Sequence, residues 1–253
     1  DTVIVGSHVV LPTGIIDKNL VLDDGKIIGL TNEIPSSDKK INADGLVAIP
    51  GVIDTHVHYG VYSPIEHAAT SESHAAAIGG ITTMMRMLRR GDSYKNSLLP
   101  QLNASSKSHY VDYAIHASPF NLQQADEMQH CVENGITSFK LYMNLGGEVG
   151  HVYMDMEPGK NLIQEECVEV TSEIVEKVVK NASSLGCPVL VHAEDYEECG
   201  CGIKKAKEKN LDGLDAWSES RSTKSEIKSI QTISKFARDA NCVLDGAQRG
   251  ASQ

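Results

Sequence analysis

The sequence predicts an α/β fold, a parallel sheet flanked by helices, preceded by a small all-β portion. Three observations carry this reading. Residues 1–30 alternate short β-branched runs with turns, whereas from Gly45 onward short apolar strands alternate with longer helix-like stretches. Two of those stretches space their apolar residues for one helix face. The 253 residues, 41% of them hydrophobic, suffice for one large α/β domain or for a barrel with a small second domain.

In "DTVIVGSHVVLPTGIIDKNLVLDDGKIIGL" the turns are Leu11-Pro-Thr-Gly14 and Asp23-Asp-Gly25, so small antiparallel strands and hairpins are expected. Residues 1–45 are assigned to this portion and residues 46–253 to the α/β portion. The expected parallel strands are Leu46–His58, Ile81–Met87, Val111–Ala117, Ile136–Met143 and Pro188–Ala193. A helix from about Cys167 to Leu185 would place Thr171, Ile174, Val175, Val178, Val179 and Ala182 on one face, with Gly186 as its stop. A second, Ser225–Ala240, would bury Ile227, Ile230, Ile233 and Ala237. The stretch Asn144–Leu162, with Gly-Gly, Pro-Gly and scattered Met, reads as a lid or a surface insertion.

Composition narrows the function classes. A formal charge of -11 with no Lys/Arg block argues against a nucleic-acid or anionic-membrane partner. The six Cys (Cys131, Cys167, Cys187, Cys199, Cys201, Cys242) lack paired spacing, which fits reduced thiols and a cytoplasmic location; Cys199-Gly-Cys201 reads as a chance loop pair. No signal peptide or apolar run near the roughly 20 residues of a membrane span is expected. Asn103-Ala-Ser and Asn181-Ala-Ser match a glycosylation pattern that short sequences meet by chance.

Chemistry concentrates in "AIPGVIDTHVHYG". Side chains two apart on a strand share a face, so Asp54, His56 and His58 are expected to point one way. Two adjacent imidazoles suit zinc and similar ions. Lys140 in "GITSFKLYMN" and His192 in "CPVLVHAED" stand near the ends of other strands, and catalytic groups in a parallel barrel converge at C-terminal strand ends. A Lys embedded in an apolar strand must be paired, deprotonated or modified, and a carboxylated Lys would be an anionic ligand able to bridge two metals. Alone, Lys140 reads as a snorkelling side chain and a lone His as a core residue. Their joint occurrence is what points to a site.

"PGVIDTHVH", followed by "GITSFKLYM" and "VHAED", resembles the cyclic amidohydrolases: dihydropyrimidinase, hydantoinase, allantoinase and dihydroorotase. The resemblance extends to "AAAIGGITT" and "SESRSTKSEIKSI". It implies a TIM-like (β/α) barrel with a small β-sandwich, residues 1–45 supplying the N-terminal sandwich strands. It implies two divalent ions, usually zinc, bridged by carboxylated Lys140, with His56 and His58 on one ion, His192 on the other, and Asp54 orienting them. The ions would acidify a water and polarise the amide carbonyl of a small cyclic amide. A homo-oligomer, dimer or tetramer, is expected by the same resemblance. Two departures bear on the substrate: Gly60 stands where dihydroorotases commonly have a carboxylate-binding Arg, and Leu145 stands where hydantoinases usually have a Tyr, with Tyr142 nearby.

The resemblance further asks for a His ending strand six and a catalytic Asp ending strand eight. No residue matches that Asp, so no catalytic acid is assigned. After "NCVL" the sequence breaks into "DGAQRGASQ", and an incomplete barrel is expected, with residues 1–253 alone a poor catalyst. The alternative function is that of a non-catalytic relative acting as an assembly or binding protein.

Overall fold

The computed structural model describes residues 1–248, which fall into two units, Asp1–Val52 and the residues from Ile53 onward. Residues 46–52 fall within the first of these units.

The first unit is one mixed sheet of β1 (Thr2–Leu11), β2 (Gly14–Asp23), β3 (Lys26–Thr31), β4 (Lys39–Asn42) and β5 (Val47–Ala48). β1, β2 and β3 form antiparallel hairpins, whereas β4 and β5 both run parallel to β1. The turn between β2 and β3 places Asp24 and Gly25 at φ 46° and 71°, the doubly left-handed geometry that matches strand twist. β1 shifts register between Ile4 and Ser7, and Gly6 inside that shift has φ 78°. A Cβ there would meet Asp44 Oδ1 at 1.8 Å and displace that side chain, and the positive φ itself favours glycine.

The expected strand Leu46–His58 is interrupted. Val47–Ala48 ends before Ile49-Pro50-Gly51, and β6 (Val52–Val57) begins after it. Proline has no N–H for a ladder, so the run cannot continue through position 50. The second unit then alternates helices and strands: α1 (Ile65–Ile78), β7 (Ile81–Leu88), α2 (Tyr94–Ser106), β8 (Asp112–Ala117), α3 (Leu122–Asp126), α4 (Met128–Glu133) and β9 (Phe139–Tyr142). A two-stranded antiparallel sheet of β10 (His151–Met154) and β11 (Gln164–Cys167) follows, then α5 (Ser172–Ser184), β12 (Val189–His192), α6 (Tyr196–Glu208), α7 (Gly213–Ser220), α8 (Thr223–Ala240) and β13 (Leu244–Gln248). The main sheet has the order β13-β12-β9-β8-β7-β6, with β7/β8, β8/β9, β9/β12 and β12/β13 all parallel.

One face of this sheet packs on helices. Leu88, Ile115, Phe139, Leu141, Val189 and Val191 join Ile174, Val175, Val178, Val179 and Ala182 of α5 in one buried cluster. Thr171, expected on that helical face, is instead the N-cap and accepts from Ile174 N at 3.4 Å. In α8, Ile233 and Ala237 are buried but Ile227 and Ile230 remain 49% and 45% exposed. β13 corrects a further expectation, because the strand begun at Leu244 continues beside β12 to Gln248; residues 249–253 of the stretch read as a break lie outside the described residues. The Asn144–Leu162 stretch contains β10 and is an ordered part of the unit, as the buried contacts of Asp155 show below.

Candidate metal centre

Strand alternation sends Leu88, Ala117, Phe139 and Leu141 toward the helices, so His116 and Lys140 point to the opposite face. Leu190 lies opposite Lys140 and His192 opposite Tyr142 in register, which puts Lys140, Tyr142 and His192 on that same face near the C-terminal strand ends.

Asp54 and His56 lie on β6 and His58 follows it. The Nε2 atoms of His56 and His58 are 3.2 Å apart. Two nitrogens at about 2.0–2.1 Å from a tetrahedral zinc are themselves about 3.4 Å apart, so the pair already has the spacing of neighbouring ligands. Asp54 Oδ1 accepts the backbone N–H of His56 at 3.1 Å and holds the chain that carries the first imidazole. Burial, then the charge of Lys140 and of His116, lowers the pKa of His56. His58 opens onto a cavity, but surrounding protein, followed by Arg89, His56, Lys140 and His192, pushes its pKa down to about 4. Both rings are therefore neutral at pH 7, the state that offers a lone pair to a cation.

Lys140 is 0% exposed, and its Nζ has no hydrogen-bond partner among the described residues. It lies 5.2 Å from the centroid of the Tyr142 ring. Burial lowers the amine to about 8, against the opposing charge of Asp245. A buried, easily neutralised amine is a nucleophile for carbon dioxide, and the resulting carbamate would give this orphaned position an anionic ligand. His192 is engaged differently: its Nε2 is 2.6 Å from Glu194 Oε2, a contact that holds the Glu194 carboxyl below its usual range. Thus His56 and His58 are brought together, Lys140 lies within electrostatic reach of both, and His192 shares their face while bonded to Glu194. Among the described residues no three His, Cys, Asp or Glu converge as a metal cluster.

Sequence reasoning missed His116 and a buried ion network. His116 on β8 is 3% exposed; its Nε2–H donates to the Thr55 carbonyl at 3.1 Å and its Nδ1 accepts from Ser138 Oγ at 2.6 Å. A single His in "DYAIHA" carries no signal that separates this role from core packing. Arg86 and Asp155, both fully buried, pair at 2.8 Å. Arg86 Nη2 also donates to Gln101 Oε1 at 2.8 Å, and Arg90 Nη1 to the Asp155 carbonyl at 2.8 Å. Gly60, at φ 94°, abuts this network: an added Cβ would lie 3.3 Å from Ile65 Cδ1 and 3.7 Å from Arg86 Nη1. The positive φ at Gly60 favours glycine there over a residue with a side chain such as Arg.

No protein-family model matches the chain. The allantoinase of Solibacter usitatus (strain Ellin6076) is 26% identical over 250 residues, covering 96% of this chain and 50% of that protein. That of Desulfitobacterium hafniense (strain Y51) is 26% identical over 252 residues, covering 96% and 52%. Among solved structures, the L-hydantoinase (dihydropyrimidinase) from Arthrobacter aurescens superposes with a TM-score of 0.79 at 22% identity, covering 96% of this chain and 52% of that one. The D-hydantoinase from Bacillus sp. AR9 gives 0.78 at 22%, covering 96% and 51%. Over almost its whole length the chain is thus similar to proteins named allantoinase and, in fold, to hydantoinases. Its parallel sheet has the hydantoinase fold, and it spans about half the length of the curated relatives it matches.

Proposed function

We propose that the protein is a metal-dependent hydrolase that opens a small cyclic amide, a hydantoin, dihydropyrimidine or allantoin-like ring. The observation that carries this reading is the fully buried amine of Lys140, without a hydrogen-bond partner among the described residues, on the strand face shared with His192 and near the His56–His58 pair. In this reading His56 and His58 hold one divalent ion, carboxylated Lys140 holds two, and His192 exchanges its Glu194 contact for the second. Zinc is the expected metal. Such ions supply a Lewis acid for the ring carbonyl and an acidified water as nucleophile. The chain's own contribution is to hold His56 and His58 neutral, fix the His56 backbone through Asp54, and keep the Lys140 Nζ away from bulk water. The reading also takes the sheet as part of a TIM-like barrel, residues 1–45 as part of a small β-sandwich, and the protein as a cytoplasmic homo-oligomer.

A second reading, a non-catalytic assembly or binding relative, is favoured by the His192–Glu194 bond, which occupies a ligand position. Zinc loading followed by metal analysis and assays on hydantoin, dihydrouracil and allantoin separates the two. About two zinc ions per chain with ring opening supports the hydrolase. Uptake of fewer than two zinc ions favours the second reading, since residues 1–253 alone are expected to turn over little in either case, and failure to bind zinc defeats the metal centre.

A further inference from the structure

The six Cys show no paired spacing in the sequence, yet the sheet brings two of them together. β12 and β13 run parallel with Val189 opposite Leu244 and Leu190 opposite Asp245, and the Val189 amide donates to the Val243 carbonyl at 2.9 Å. Two residues back along each strand stand Cys187 and Cys242, which the same register sets opposite each other. Side chains two apart share a face, and both thiols accordingly pack into the buried cluster that holds Val189 and, at its margin, Leu244. Cys242 Sγ lies 4.0 Å from the Cys187 carbonyl oxygen. The approach is held from behind. Each Cys follows a helix and donates its amide back to that helix, Cys187 to the Ala182 carbonyl at 2.8 Å and Cys242 to the Ala237 carbonyl at 2.9 Å. Ser183 Oγ ties the two helix ends together by donating to the Ala240 carbonyl at 2.6 Å. Neighbouring strands lie about 4.8 Å apart, inside the Cα separation of about 4.4–6.8 Å that a disulfide spans. Both residues carry free thiols.

We propose that Cys187 and Cys242 are a redox-responsive modification site that closes to a disulfide under peroxide and staples the start of β13 to β12. The proposal stands apart from the hydrolase reading. Cys242 is the part-exposed member and Cys187 is 5% exposed, so peroxide meets Cys242 first. The Cys242 thiolate attacks one peroxide oxygen, the O–O bond breaks, hydroxide leaves, and Cys242 becomes a sulfenic acid. The Cys187 thiolate then attacks Cys242 Sγ, so that the S–S bond forms, the S–O bond breaks and a second hydroxide leaves. With the two thiol protons the products are one disulfide and two waters, and the pair has given two electrons to the peroxide. A dithiol reductant reverses the step by exchange. Burial raises the Cys187 thiol, and burial followed by the nearness of Cys187 raises that of Cys242, so closure quickens as the pH rises. The bond joins residues 55 apart in sequence and encloses α6, α7 and α8 between them.

The test treats the full chain with hydrogen peroxide at low protein concentration and about pH 8, where more thiolate is present, and maps its peptides by mass spectrometry without reduction. The wild type should yield an intramolecular Cys187–Cys242 linkage that dithiothreitol removes. Its thermal midpoint should rise on oxidation by about 5–15 °C, the effect of closing a long loop in a chain of this size. In a form carrying both Cys167→Ser and Cys201→Ser, which lacks the two exposed thiols, the count of free thiols should fall by two. Cys242→Ser should show neither the linkage nor the rise, and the wild-type map reads the linkage whatever the stability of that variant. Persistence of both thiols under peroxide, pairing of either residue with a different Cys, or a linkage that leaves the midpoint unchanged would overturn the inference.

Discussion

His116 Nε2 donates to the backbone carbonyl of Thr55 at 3.1 Å, reaching from β8 past the intervening β7 to the strand that carries His56. The residue between Asp54 and His56 is thereby held by an imidazole whose other nitrogen is fixed by Ser138. Replacing His116 by Ala leaves the Ser138 hydroxyl and the Thr55 carbonyl without this partner, at a cost of about 1–3 kcal/mol. His116→Ala should lower the denaturation midpoint by that amount and weaken zinc binding. An unchanged zinc affinity in a destabilised variant would confine His116 to packing.

Lys140 sets a pH dependence for the metal-free protein. Burial pushes its amine down to about 8 when folded, against 10.5 for a solvated lysine, so between these pH values the unfolded chain binds the extra proton. Stability attributable to Lys140 therefore rises with pH across that window, by at most about 3 kcal/mol. In carbon-dioxide-free buffer without metal, Lys140→Met should be more stable than wild type at pH 7, with the difference shrinking toward pH 10.5. A difference independent of pH would show that the amine is not buried in its charged form.

With zinc and bicarbonate present the same residue should act in the opposite sense. Lys140→Ala is expected to bind less than two zinc ions per chain and to lose whatever ring-opening activity the wild type shows, with partial recovery of zinc binding on adding acetate or propionate. Undiminished activity of the variant without any additive would remove Lys140 from the centre.

The Arg86–Asp155 pair gives a prediction separate from any metal. Asp155→Ala leaves Arg86 fully buried without its counter-charge, a change that typically costs about 3–5 kcal/mol. Arg86→Met combined with Asp155→Leu should cost less than Asp155→Ala alone, since neither charge is then left unpaired. Equal losses in urea unfolding would mean that packing, and not charge, governs the site.

Local rules made much of this legible. Alternation from position 81 onward locates β7, β8, β9 and β12, and helical spacing picks out Ile174, Val175, Val178, Val179 and Ala182, all buried. What escaped depends on contacts distant in sequence. Arg86 and Asp155 are 69 residues apart, and nothing local marks either as fully buried. Thr171 has the periodicity of a face residue but the chemistry of a cap, and the cap prevails because the first helical N–H groups need an acceptor. The four proposed ligands can be singled out in the sequence because His56 and His58 stand two apart at a strand end and Lys140 interrupts an apolar run. The Glu194 bond to His192 cannot, although Glu194 lies only two residues on, because sequence does not say which way a strand-end carboxylate turns.

The anchoring of Asp155 also bears on how the chain breathes. Its amide donates to the Arg89 carbonyl at 2.8 Å, and the next amide, Met156, donates to the Gly60 carbonyl at 2.8 Å. Within a stretch whose Gly and Pro content suggests a hinged flap, these two positions should exchange their hydrogens with deuterium as slowly as β7 itself, while the exposed residues 161–163 exchange quickly. Opening of the cavity wall at its root is then a sub-global unfolding event that separates Arg86 from Asp155, and only those outlying residues are left to fluctuate on their own.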